Sequence, residues 1–198
     1  FCVIHNAVDR EKYRYSVQKR EEIRGSMGIT DQFVIGHVGN FCYQKNHYFL
    51  LDVFEEVHKK DPNTVLLLAG DGVRFEKVRQ IVAEKNLEDV VKLLGRRSDT
   101  DYLYQGMDAF LLPSNFEGLP IAGIEAQSAG LPCFMSDEIT KESKITEACY
   151  FIPLKSGAKY WAEEILDNRM ERQSAEFLDN AEQYDLANQD QELKSLIR

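Results

Sequence analysis

No apolar run in this sequence approaches the roughly 20 residues that a membrane-spanning helix needs. The longest, such as Val65 to Ala69, suit a buried strand. No basic segment followed by an apolar one stands at the start, so no signal peptide is visible. Basic charge is in deficit: 24 Lys and Arg face 33 Asp and Glu, a formal net charge of −9. Binders of nucleic acid need a positive surface, so the balance argues against that partner. Cysteine is sparse. Cys2, Cys42, Cys133 and Cys149 include no CxxC pair and read as small buried hydrophobes in a reducing compartment. His5, His37, His47 and His58 are scattered, with no pair at metal-ligand spacing. Internal repeats and low-complexity tracts are absent too.

What is present is a chain of 198 residues, 43% hydrophobic and 29% charged, a balance that supports a packed core. The length fits one large domain or two small ones. The acid excess is uneven: Tyr160 to Arg198 holds ten acidic and four basic residues. That segment reads as a solvated helical face.

Short apolar runs alternate with segments of helical spacing. Strands are expected at Phe33–Gly39, Thr64–Leu68, Val90–Leu94, Ala109–Leu112, Pro132–Met135 and Cys149–Ile152. Helices are expected at Ser16–Met27, Asn46–Lys60, around Phe75 to Val82, at Asp101–Gln105 and from Pro120 to near Gly130. After Leu154 one helix carries Trp161, Ile165 and Met170, and another runs from Phe177 to Ile197. Strands apolar throughout are buried on both faces, and helices between them supply crossovers. The expected fold class is therefore α/β, a doubly wound parallel sheet. Ligands of such sheets bind beyond the carboxyl ends of the strands, so the loops after Val38, Leu68, Leu94 and Leu112 are the ones to inspect. Phe1 to Asn6 begins inside a strand pattern, which suggests a piece of a longer chain.

Two loops carry chemistry. In Asn115-Phe116-Glu117-Gly118-Leu119-Pro120, Glu117 precedes a helix that Pro120 opens, and Glu125 lies just over a turn inside it. Free amides at a helix start attract anions, and two carboxylates beside them can accept hydrogen bonds from hydroxyls. Anion-binding amides beside hydroxyl-binding carboxylates describe a sugar nucleotide. On spacing alone, a loop charge at Glu117 and a solvated Glu125 stay open as the plainer reading. In the second loop, Gly39 to His47, Lys45 can reach a phosphate, and Asn46 is a candidate N-cap. Asp99-Thr100-Asp101 reads as a DxD triplet, yet Ser98 or Asp99 fits better as the cap of a short helix, with no metal. Gly70-Asp71-Gly72 reads as a tight turn, and Trp161 as packing.

Taken together, Gly39-Asn40-Phe41…Gln44-Lys45-Asn46-His47, Ala69-Gly70-Asp71-Gly72, Leu94-Gly95-Arg96-Arg97, Glu117-Gly118-Leu119-Pro120 with Glu125-Ala126, and Gly130-Leu131-Pro132 resemble a known family. It is the C-terminal, donor-binding domain of retaining GT-B glycosyltransferases, glycosyltransferase family 4. Asn6-Ala7-Val8-Asp9 looks like an element near the start of that domain. Ile139-Thr140-Lys141-Glu142 makes the likeness nearest to bacterial exopolysaccharide and capsule enzymes. It covers about Val3 to Leu154.

The resemblance implies roles. Lys45 neutralises the leaving diphosphate, Glu117 holds hydroxyls of the donor sugar, and Glu125 accepts the ribose hydroxyls. Backbone at Gly39, Gly118, Leu119, Ile121 and Ala122 meets sugar and phosphate, and backbone near Arg97 meets the base. The implied donor is a nucleotide-diphosphate sugar, expected to be a UDP-sugar, used without metal or other cofactor. Transfer with retention then rests on positioning and on leaving-group charge stabilisation. Asn40 departs from the pattern, because the family usually has arginine there; Arg74, Arg96 and Arg97 are candidate replacements. The implied organisation is a nucleotide-sugar-binding domain at residues 1–155 and a helical segment at 156–198. That segment would brace an N-terminal domain, not included here, that binds a sugar or lipid-linked sugar acceptor. Without it, little catalysis is expected. The expected location is cytoplasmic, or peripheral at the inner membrane face through that other domain. The alternatives are a non-catalytic nucleotide-sugar module, a sugar-nucleotide epimerase of the same architecture, and a generic flavodoxin-like binding domain.

Overall fold

The computed structural model describes residues 6–189. Its centre is a six-stranded, all-parallel sheet. The strands are β1 (Phe33–Val38), β2 (Thr64–Ala69), β3 (Val91–Gly95), β4 (Ala109–Leu112), β5 (Cys133–Ser136) and β6 (Cys149–Ile152). Their spatial order is β3-β2-β1-β4-β5-β6. The chain winds outward from β1 to β3, then returns to lay β4 against the other side of β1. That reversal opens a crevice between the loops after β1 and β4, where doubly wound sheets take their ligands.

The helices flanking the sheet include α1 (Arg10–Tyr13), α2 (Val17–Ser26), α3 (His47–Lys60), α4 (Phe75–Glu84), α5 (Thr100–Gly106), α6 (Ile121–Ser128) and α7 (Gly157–Asp167). Alternation along the strands sorts the core into two layers. Val34, Leu67, Phe110 and Met135 face α1, α2, α5 and α6. Ile35, Leu66, Leu111 and Phe134 face α3, α4 and α7. Every residue of β2, β4 and β5 is buried, as continuous apolar strands require. Trp161 is fully buried, meets Phe49 edge-on, and donates its indole N–H to the Pro153 carbonyl at 3.0 Å. Cys133 and Cys149 are buried neighbours on β5 and β6, and burial pushes both thiols well up, Cys149 to about 12.

Five local expectations are corrected. Asn46 precedes α3 but forms no side-chain cap, because its backbone is left-handed (φ 54°) rather than the extended conformation a capping residue takes. Asp99 precedes α5 without capping it, since both its oxygens take the guanidinium of Arg97 at 2.8 and 2.6 Å. Pro120 is the N-cap of α6 rather than its first turn, and α7 stops at Asp167, short of Met170. The helix expected from Phe177 is broken: Phe177 bridges Thr146, and Asp179–Tyr184 is a 3-10 turn. The strand pattern at Phe1 to Asn6 and the stretch toward Ile197 fall largely outside the described residues.

The acidic C-terminal segment is also more than a solvated face. Ala181 and Tyr184 are fully buried, Asp185 bridges Val8, and Arg10 meets Asp185 at 2.7 Å. This contact ties the Asn6–Asp9 element to the far end of the described chain.

Candidate functional site

The loops at the carboxyl edge are built by glycine. Gly70 has φ +141°, and a Cβ there would stand 1.9 Å from the Gly39 carbonyl oxygen. At Gly72, with φ +151°, a Cβ would stand 2.7 Å from the Phe41 carbonyl oxygen. Only glycine permits this approach. The turn after β2 thereby supports the loop after β1, with Phe41 N–H donating to the Asp71 carbonyl at 2.9 Å. Beside these turns lies a cleft of about 670 Å³, lined in part by Gly39, Asn40, Asp71, Arg96, Arg97 and Thr100.

At the crevice the loops after β1 and β4 are sewn together. Asn115 N–H donates to the Gln44 carbonyl at 2.8 Å, and the Asn115 amide donates to the Tyr43 carbonyl at 2.7 Å. Across this seam Lys45 Nζ meets Glu117 Oε1 at 2.5 Å. Glu117 also accepts from Ser114 Oγ at 2.9 Å and from Gln44 Nε2 at 3.0 Å. Its side chain is 7% exposed and that of Lys45 15%. Lys45 runs beside Gly39, where an added Cβ would stand 3.1 Å from its Cε and 3.0 Å from Nε2 of His37. The cleft and the ion pair therefore adjoin through Gly39.

Behind Lys45 sit two buried histidines, His37 and His47, their rings 4.8 Å apart. His37 Nδ1 lies 2.8 Å from the Leu111 carbonyl, while His37 Nε2 and both His47 nitrogens have no hydrogen-bond partner among the described residues. Burial, reinforced by Lys45 and Arg74, pulls the His47 pKa down to about 4. His37 is also held well below the usual imidazole range, by burial and by His47. Both rings are neutral at pH 7, so Lys45 is the cation at this point of the loop.

Helix α6 starts beside Glu117. The amides of Gly123 and Ile124 both reach the Pro120 carbonyl, at 2.9 and 3.1 Å. Those of Ile121 and Ala122 stand ahead of any intrahelical acceptor, and no side chain caps the helix. Gly118 and Leu119 form the approach to it, with Leu119 packed on the core. One turn in, Glu125 accepts from Tyr13 Oη at 2.6 Å and from Tyr104 Oη at 2.9 Å. It does not line the 670 Å³ cleft, but Thr100, which does, lies close to Tyr13.

The structure thus brings Lys45, Glu117 and the start of α6 together, and puts Gly39, Asn40 and Arg97 on the adjoining cleft. Sequence reasoning missed Tyr13, Tyr104, Ser114 and the histidine pair. Ser114 adjoins the Asn115–Pro120 loop and was findable; the tyrosines, 91 residues apart, carry no local signal. Among the described residues no group of three or more His, Cys, Asp or Glu could hold a metal, and no helix is long and apolar enough to cross a membrane.

The open parallel sheet carries an uncapped helix start beside its switch point, the place where doubly wound sheets take their ligands. Residues 19–185 match the family model for glycosyl transferases group 1, and the chain belongs to that family. EpsF of Bacillus subtilis, named as a glycosyltransferase, is 36% identical over 141 residues, which is 71% of this chain and 37% of EpsF. The UDP-Gal:α-D-GlcNAc-diphosphoundecaprenol α-1,3-galactosyltransferase of Escherichia coli is 33% identical over 139 residues, 68% of this chain and 36% of that enzyme. Anabaena HepE, solved in complex with UDP and glucose, superposes with a TM-score of 0.83 at 21% identity, over 99% of this chain and 56% of HepE. The fold is that of GT-B glycosyltransferases. The chain spans about a third of the length of the curated relatives it matches.

Proposed function

We propose that this chain binds the nucleoside diphosphate of a sugar donor, UDP-sugar, for retaining glycosyl transfer in polysaccharide biosynthesis. The observation that carries the reading is the meeting of Lys45, Glu117 and the uncapped start of α6 at the β1/β4 switch. Lys45 faces the diphosphate as charge builds on the leaving group, assisted by the amides of Ile121 and Ala122. Glu117 accepts hydroxyls of the sugar, and Glu125 those of the ribose. The base lies over the Gly95–Arg97 turn. No metal is required, because the cation and amides supply the positive field. The acceptor, a sugar or lipid-linked sugar, is held by a further domain against which the segment after residue 156 packs. The protein works in the cytoplasm, at the inner face of the membrane when the acceptor is lipid-linked.

Asn40 leaves this field one cation short. Arg97 is committed to Asp99, and Arg74 lies between the rings of Tyr43 and Tyr48, 5.1 Å from each. Arg96 is exposed on the cleft and, among the described residues, has no ion-pair partner. It is the replacement cation. The same vacancy favours a second reading, a nucleotide-sugar module that binds without turnover.

Calorimetric titration with UDP, GDP and their sugar conjugates, with and without Mg²⁺, tests both. Metal-independent binding of one nucleotide, weakened at least tenfold in Lys45→Ala and in Glu125→Ala, is the expected result. Binding unchanged by both substitutions refutes the site. Turnover with a sugar acceptor refutes the second reading.

A further inference from the structure

We infer that Tyr13 and Tyr104 are positioning residues that hold Glu125 ready for a ribose cis-diol and so set the preference for ribo- over 2′-deoxyribonucleotides. The inference rests on the reading of Glu125 as the ribose acceptor.

Glu125 and Glu117 are held in opposite ways. Glu117 is neutralised by an ammonium, while Glu125 has no ion-pair partner among the described residues. Its donors are two neutral phenols, one on each oxygen. A carboxylate oxygen offers two lone-pair sites, so one site on each remains open. Two adjacent open acceptors match the two adjacent hydroxyls of a ribose. A lysine in place of the phenols would cancel the charge that makes these acceptors strong.

The phenols are themselves fixed. Their rings meet edge-on with centroids 5.8 Å apart, and Tyr104 is fully buried against Phe110. Tyr104 Oη also lies 3.2 Å from the Ala122 carbonyl, at the start of the helix that carries Glu125. Tyr13 ends α1, and its carbonyl accepts from the buried Gln105 amide at 3.0 Å. Gln105 Oε1 accepts from Ser16 N–H at 2.9 Å, which clamps the α1–α2 connection onto α5. Burial and the carboxylate push both phenols above their usual range, so both remain donors at neutral pH. Such a preset shell spares the ligand the cost of orienting its acceptor.

Tyr13→Phe and Tyr104→Phe each remove one hydroxyl and little else. Titrating this chain with UDP and 2′-deoxy-UDP reads the consequence. The parent chain is expected to favour UDP by roughly tenfold or more, the range of a hydrogen bond to a charged group. Each variant should bring that ratio below about threefold by weakening UDP, with 2′-deoxy-UDP binding almost unchanged. Equal weakening of both nucleotides, with the ratio intact, overturns the inference and leaves the tyrosines as scaffold. Glu125→Gln separates the layers. If it collapses the ratio while the tyrosine variants keep it, only the inference falls. If Glu125→Gln leaves the ratio intact, or if the parent chain binds neither nucleotide, the ribose reading falls with it. Should either variant misfold by far-UV circular dichroism, the hydroxyl-proton resonances of Tyr13 and Tyr104 in the parent chain decide. They should shift on adding UDP and stay in place with 2′-deoxy-UDP; identical responses overturn the inference.

Discussion

Lys45 and Glu117 are two charges withdrawn from water, side chains 15% and 7% exposed, that each stabilise only while the other is present. Glu117→Gln keeps acceptors for Ser114 yet leaves the ammonium unpaired, and should cost about 3–5 kcal/mol in urea denaturation. Lys45→Met combined with Glu117→Gln should recover most of that loss, since no buried charge remains. His47 gives the pH dependence. Its folded pKa, about 4, lies below the unfolded 6.5, so between these values the unfolded chain binds more protons. Stability is therefore complete above pH 6.5 and falls as the pH drops toward 4, by up to about 3 kcal/mol from this group. Denaturation curves at pH 7.5 and 4.5 check it, and His47→Phe, which retains stacking on Phe41, should reduce the difference, with His37 supplying the remainder.

Among the elements, the turn after β2 has the least tolerance. Gly70→Ala puts a Cβ into the Gly39 carbonyl at a backbone angle that L-residues rarely adopt. A loss above about 3 kcal/mol is expected. Weaker nucleotide binding should accompany it, because the loop before Lys45 has to move; calorimetry and chemical denaturation read the two effects. Helix α2 depends on a different device. Asp108 accepts from Arg20 at 2.6 Å, from Arg24 at 3.1 Å and from Val34 N–H at 2.8 Å, which anchors α2 to the start of β1. Arg24 keeps the carbonyls of Gly106, Thr30 and Gln32 without it. Asp108→Ala should therefore cost about 3 kcal/mol rather than abolish folding. The weakened anchor should show as faster proteolysis within α2.

For the whole molecule, the two core layers share one sheet, so neither can melt without exposing the other face of the same strands. Trp161, the single tryptophan, is buried in the layer under α3 and α7. Its fluorescence and the far-UV circular dichroism should give one common unfolding midpoint. A fluorescence transition that precedes the dichroism would show α7 detaching first.

The sheet was legible because strands buried on both faces must be apolar throughout, as in β2, β4 and β5, and the helices between successive strands from β1 to β5 force parallel order. The segment from Phe177 was misread because helical spacing does not reveal that Tyr184 and Ala181 anchor it to the body, a contact that favours a 3-10 turn over a continuous helix. Capping at Asn46 and Asp99 failed for a related reason: a left-handed backbone and a nearby arginine outcompeted the local hydrogen bond.

The sequence by itself determined the fold class, the family likeness and the loops that matter, since periodicity and glycine placement act within a few residues of one another. Tertiary structure alone decided the state of the two carboxylates. Glu117 and Glu125 look alike in the chain, but one meets a lysine 72 residues away and the other a phenol 112 residues away. A carboxylate's chemistry is set by the donors around it, and those donors arrive only when distant elements pack.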